Sequence, residues 1–171
     1  GEPTGLRPAI ALLSGHFGTY NTDLHVPLAA SIELLHTASL VHDDVIDASP
    51  SRRGQATANA LFNNAASVML GDFMFAHAAE LISRTNDTAV VRLFAHTIMA
   101  IAGGELHQDL SAYEYSADTF RYFARIEGKT ASLFATSAQG GAMVARCSDA
   151  EIEALRTYGL NIGMAFQVVD D

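Results

Sequence analysis

Glu33-Leu34-Leu35-His36-Thr37-Ala38-Ser39-Leu40-Val41-His42-Asp43-Asp44-Val45-Ile46-Asp47 is the stretch that decides how this chain folds, and Arg52-Arg53-Gly54 follows it after a short break. Asp43 and Asp47 are four residues apart, so a helix carries both carboxylates on one face with their Cβ atoms about 5–6 Å apart. Like charges repel at that spacing. A helix that ends near Pro50 also places Asp43, Asp44 and Asp47 at its negative end, at a cost of roughly 0.3–1 kcal/mol each at an exposed site. A bound cation removes both penalties. Hard oxygen ligands on one helical face suit Mg²⁺, which takes one or two carboxylates and completes its octahedron with water and substrate phosphates. The arginine pair suits phosphate oxygens, because guanidinium grips them in a bidentate fork. The stretch reads as a site that holds a diphosphate through metal ions and arginines.

Working outward, helical periodicity dominates and strand-like alternation is nearly absent. One short apolar segment covers about Leu6 to Gly18, and the aspartate helix runs from about Leu24 to Asp47. It ends in the loop signal Ala48-Ser49-Pro50-Ser51. A third segment spans about Thr57 to Ser83, and a fourth starts on Asn86 or Asp87 as N-cap and reaches about Leu110. A fifth covers about Asp118 to Arg146. Ser148-Asp149-Ala150-Glu151 is a capping box that opens the sixth. Short connections and Ala- and Leu-rich segments predict an all-α helical bundle, one domain over residues 1–171.

Composition sets bounds. The 171 residues suffice for one real core. A net charge of −9 argues against a general nucleic-acid binder. Cys147 is the only cysteine, so no internal disulfide forms and a reducing, cytoplasmic setting is expected. The chain opens on Gly1-Glu2-Pro3 without a signal-peptide pattern. The most apolar window, Ala65 to Ile82, contains Asp72, His77 and Glu80 and is expected to be a buried helix rather than a membrane span.

The stretch from Glu33 to Gly54 resembles the first aspartate-rich motif of the trans-prenyl diphosphate synthases, the polyprenyl synthetase family. Leu70-Gly71-Asp72-Phe73, Gly104-Glu105 with Gln108, Lys129-Thr130 and Phe166-Gln167 before Asp170-Asp171 match further signatures of that family, in its order. The resemblance implies an isoprenoid-synthase bundle around a central apolar cavity, usually homodimeric. It implies transfer of an allylic prenyl group onto isopentenyl diphosphate, with Mg²⁺ clamping the allylic diphosphate that leaves as pyrophosphate. A leaving diphosphate needs its charge neutralised, and a carbocation needs a dry apolar cavity.

Carried over position by position, Asp43 and Asp47 would ligate metal with Asp44 in support, and Asp170 would hold a further Mg²⁺. Arg52, Lys129, Thr130 and Gln167 would hold the allylic diphosphate; Arg7, His36 and Arg53 would bind isopentenyl diphosphate. Ala38 and Ser39, one turn before Asp43, occupy the place where a bulky aromatic floors the prenyl pocket in short-chain members. Their small size implies long products, which would partition into a bilayer, so transient membrane contact is left open. Asp72 reads as a buried structural hydrogen bond outside the site, and His42 as packing or support. Gln108 stands between a site role and a helix–helix hydrogen bond. Phe73, Phe75, Phe94, Phe123 and Phe134 fit core stripes at least as well as a product tunnel.

Two departures stand out. Thr4 occupies the place of a family lysine before Arg7-Pro8, and a neutral hydroxyl is no substitute for an ammonium at a diphosphate. The chain stops on Gln167-Val168-Val169-Asp170-Asp171 in mid-pattern, which reads as a fragment lacking the C-terminal helices. Three other readings remain open. A non-catalytic partner subunit is favoured by Thr4. A class I terpene cyclase is disfavoured by Asp170-Asp171. A metal phosphohydrolase, prompted by His42-Asp43, leaves Arg52-Arg53 unexplained.

Overall fold

The computed structural model describes residues 5–111 and 127–170. Helix α1 (Leu6–Ser14) runs into a 3-10 turn (Gly15–Phe17), and α2 (Thr22–Ile46) follows. A two-residue hairpin comes next: β1 (Ser51–Arg52) pairs antiparallel with β2 (Gln55–Ala56), Arg52 opposite Gln55. Then come α3 (Ala58–Leu61), α4 (Asn64–Ser83) and α5 (Thr88–Ser111). A π-helical turn (Glu127–Ala131) leads into α6 (Ser132–Val144), and α7 (Asp149–Asp170) closes the described chain. The all-α expectation holds.

Short polar side chains start α2, α4 and α5. Asn21, Asn63 and Asp87 each accept a hydrogen bond from a backbone N–H two or three residues on. The expected capping box is present: the Glu151 carboxylate accepts from the Ser148 N–H at 2.8 Å, and the Ser148 hydroxyl accepts from the Glu151 N–H at 3.3 Å. The ends of α2 and α6 are less ordinary. Ser49 N–H bonds to Asp44 C=O and Ala48 N–H to Val45 C=O, with Ala48 at φ 49. Cys147 N–H bonds to Ala142 C=O and Arg146 N–H to Met143 C=O, with Arg146 at φ 61. Both are Schellman endings, in which the left-handed position usually holds glycine. Here it holds Ala and Arg, so neither stop carried the usual residue signal.

One buried face of α2, Leu28, Ala29, Ile32 and Leu35, forms the main core with Ala78 and Ile82 of α4, Val90 and Phe94 of α5, and Leu133 and Val144 of α6. A second cluster joins Ile10 of α1, Phe134, Ala138 and Ala142 of α6, and Leu155 of α7. Burying a side chain such as Leu35 or Phe134 contributes about 1.5–3 kcal/mol. α2 is thereby fixed from three sides, and its C-terminal aspartate turn is held in place.

The structure departs from expectation at several places. The segment from Thr57 to Ser83 is not continuous, because Phe62 leaves helical geometry and Asn63 is extended to cap α4. α4 is not a buried helix either. Only 22% of its apolar window is buried, and Val68, Met69, Leu70 and Phe73 are exposed, since no described element covers that face. By length and hydropathy alone α2, α4 and Thr88–Leu106 are each long and apolar enough to cross a membrane. Phe94 and Phe134 are core, whereas Phe73 is 69% exposed. The start of the fifth segment, with Phe123, lies outside the described residues.

Candidate functional site

Asp43 and Asp44 occupy the last turn of α2 and are both buried, while Asp47 caps the helix in near-helical geometry and is exposed. The chain then turns back. Arg53 (φ 50) and Gly54 (φ 79) both take the left-handed backbone region. Two such residues between paired strands make a type I′ hairpin turn. The turn returns Arg52 to the helix end, where its Nε donates to Asp44 Oδ1 at 2.7 Å. Three further donors pin the loop. Thr57 N–H bonds to Pro50 C=O at 3.2 Å, and the Thr57 hydroxyl to Ser49 C=O at 2.6 Å. The Asn59 amide nitrogen reaches both Asp44 C=O and Ser49 C=O at 3.3 Å.

A second group of cations lies on the same side. Arg7 of α1 is 9% exposed, with its guanidinium carbon 4.5 Å from the centre of the Phe134 ring. Its Nε is buried and has no hydrogen-bond partner among the described residues. Burial pushes the Arg7 guanidinium below its ordinary value; Glu33 opposes that and Arg53 adds to it. His36, two turns before Asp43, is pushed down to about 4 by burial, with the charges of Arg7, Arg53 and Arg52 adding. At neutral pH His36 is therefore an uncharged hydrogen-bonding ring among three arginines. A concentration of like charge with an orphaned buried donor suits an anion.

Thr130 donates from its hydroxyl to Gln167 Oε1 at 3.0 Å, which brings together two of the residues assigned to the allylic site. Thr130 sits in the π-helical turn, a geometry frequent at functional sites. Phe134 lies tilted against Phe166, 5.6 Å between ring centres, so one core ring contacts both Arg7 and the residue before Gln167. That link had no local sequence signal, since its three residues come from distant elements. The side chains of Lys129, Asp170 and Gln108, and all of Thr4, lie outside the described residues.

The surroundings of the other residues are simpler. Ala38 is fully buried; Ser39 is half-buried and its hydroxyl bonds to the His36 carbonyl. Asp72 is not buried: its side chain is 66% exposed, and Oδ1 lies 3.4 Å from His42 Nε2. Asp72 lies on the face of α4 that no described element covers, so its carboxylate meets solvent and His42 rather than a buried partner. His42 does pack, with Nε2 3.1 Å from Val68 C=O and its ring beside Phe75. A Cβ on Gly71 would stand 2.2 Å from His42 Nε2, which gives the glycine of Leu70-Gly71-Asp72-Phe73 a physical reason. No cluster of three or more metal-ligating side chains occurs among the described residues. Asp43 and Asp47, four residues apart at the end of α2, nevertheless fit Mg²⁺, which needs only one or two carboxylates from the protein, while Asp44 is engaged by Arg52.

Comparison with known proteins agrees with this geometry. Residues 4–171 match the family model described as polyprenyl synthetase. The chain is 40% identical over 166 residues to the octaprenyl diphosphate synthase of Escherichia coli strain K12, covering 97% of this chain and 51% of that protein. It is 37% identical to heptaprenyl diphosphate synthase component 2 of Bacillus subtilis strain 168, covering 97% and 48%. The crystal structure of a polyprenyl synthase from Caulobacter crescentus CB15, complexed with calcium and isoprenyl diphosphate, superposes with a TM-score of 0.94 at 40% identity, covering 99% of this chain and 52% of that one. The chain thus spans about half the length of these relatives. It belongs to the polyprenyl synthetase family.

Proposed function

We propose that the protein containing this chain is a Mg²⁺-dependent prenyltransferase. It condenses isopentenyl diphosphate with an allylic prenyl diphosphate and makes a long-chain all-trans polyprenyl diphosphate. The observation that carries the reading is the convergence of Arg7, His36, Arg52 and Arg53 beside the buried Asp43-Asp44 pair. Arg7, His36 and Arg53 bind isopentenyl diphosphate, with the unpartnered Arg7 Nε as one donor. Arg52, Lys129, Thr130 and Gln167 bind the allylic diphosphate. Asp43, Asp47 and Asp170 would hold Mg²⁺, which supplies charge neutralisation for the leaving diphosphate. Small Ala38 and Ser39, and the octaprenyl and heptaprenyl names of the relatives, support a long product.

The test is incubation of the full-length protein with labelled isopentenyl diphosphate, Mg²⁺ and farnesyl or geranylgeranyl diphosphate, with product lengths resolved by chromatography. Long products are expected from the wild type and none from Asp43→Ala; equal output from both would overturn the site. A second reading, a subunit that needs a partner chain, is favoured by the component 2 name of the Bacillus subtilis relative and by Thr4 in place of a lysine. Turnover that appears only when a second chain is added would select it.

A further inference from the structure

The loop that carries Arg52 and Arg53 is held by two residues that no part of the reading above assigns. Thr57 is 4% exposed, and its N–H and hydroxyl both bond to the loop, at Pro50 C=O and Ser49 C=O. Asn59 gives its amide nitrogen to Asp44 C=O and Ser49 C=O, while its Oδ1 is buried without a partner. A protein rarely leaves a buried amide oxygen unsatisfied. Turning the amide over would face its oxygen to two carbonyls, so the orientation is set by the donors. The Asp44 carbonyl belongs to the turn whose side chain pairs with Arg52. The same two residues therefore hold the Asp44 turn directly and Arg52 through the loop that leads to it.

We propose that Thr57 and Asn59 are positioning residues: they clasp the Ser49–Pro50 carbonyls to the end of α2 and so fix the reach of Arg52 and Arg53 toward a diphosphate. Without the clasp the hairpin is a two-residue ladder closed by a turn with Arg53 in a left-handed conformation, which is a weak hold. The clasp adds to the Arg52–Asp44 ion pair in holding the loop that carries both cations, and preorganisation is where positioned charge gains its effect. This rests on the prenyltransferase reading for its consequence, though not for its geometry.

Two readouts separate the two. In the full-length protein, Thr57→Val keeps the shape and removes the hydroxyl, and Thr57→Ser restores it. Amide hydrogen exchange across residues 51–56, measured without substrate or metal, should speed up at least tenfold in Thr57→Val and Asn59→Ala and stay near wild type in Thr57→Ser. Steady-state kinetics should show KM for the allylic diphosphate raised tenfold or more in Thr57→Val, kcat changed less, and recovery in Thr57→Ser. Unchanged exchange in Thr57→Val overturns the clasp whatever the kinetics do. Faster exchange with unchanged KM overturns the positioning role. A wild type without turnover sinks the prenyltransferase reading instead, and the role is then judged by pyrophosphate binding in Mg²⁺, which Thr57→Val should weaken tenfold and which overturns the role if it does not change.

Discussion

His36 shows how its surroundings set the charge of a single residue. Its folded value is pushed down to about 4, below the unfolded value near 6.5. Between those values the unfolded chain binds the extra proton, so stability falls as pH drops from about 6.5 to about 4 and levels off below. The loss amounts to at most about 3 kcal/mol at 1.36 kcal/mol per unit. Denaturation midpoints measured across that window should slope for the wild type and flatten in His36→Asn; equal slopes would remove His36 as the cause. Gly71 makes a sharper steric case. Gly71→Ala drives a Cβ into the His42 ring, and the expected cost is about 1–3 kcal/mol, seen as a lowered melting temperature. The aspartates were legible from the sequence because their meaning is local: spacing on one helix. The Arg7–Phe134 contact was not, because only the tertiary packing of α1 on α6 creates it.

Helix beginnings were legible from their caps and the end of α2 from the loop signal Ala48-Ser49-Pro50-Ser51, whereas the left-handed residue that closes a helix was not. Ser148 and Glu151 announce α7 by chemistry that acts over three residues. Ala48 and Arg146 close their helices in the left-handed region with no glycine to mark the place. A non-glycine residue pays about 1–2 kcal/mol there, and glycine gives back about 0.5–1 kcal/mol through its freer unfolded state. Ala48→Gly should therefore stabilise the protein by up to ~1 kcal/mol. An urea midpoint that moves down would show that the Ala48 methyl makes contacts worth more than the strain. The break at Phe62-Asn63 was missed for a related reason. Asn63 is a cap signal, but the apolar residues on both sides continue one helical pattern through it.

At the scale of the molecule, fold class and family were legible and burial was not. Hydropathy told where apolar surface lies and not what covers it, so α4 was expected inside and stands largely outside. Contiguous exposed apolar patches on soluble domains are usually interaction surfaces. The 171-residue chain purified alone should associate with rising concentration, and Met69→Lys with Phe73→Lys should weaken that association; a monomer at all concentrations by sedimentation would contradict it. The π-helical turn at Glu127–Ala131 bears on how such a chain tolerates lengthening and shortening. It already contains one residue more than ordinary helical pitch requires. Deleting a single amino acid there lets the turn run into α6 as ordinary α-helix, so that end of the chain can still fold. A five-residue π turn sweeps nearly the same angle as four residues of α-helix, so removing a residue before Thr130 leaves its hydroxyl on the face that meets Gln167. This short stretch should therefore bear the loss of a residue that touches no ligand better than the loss of the Thr130 hydroxyl.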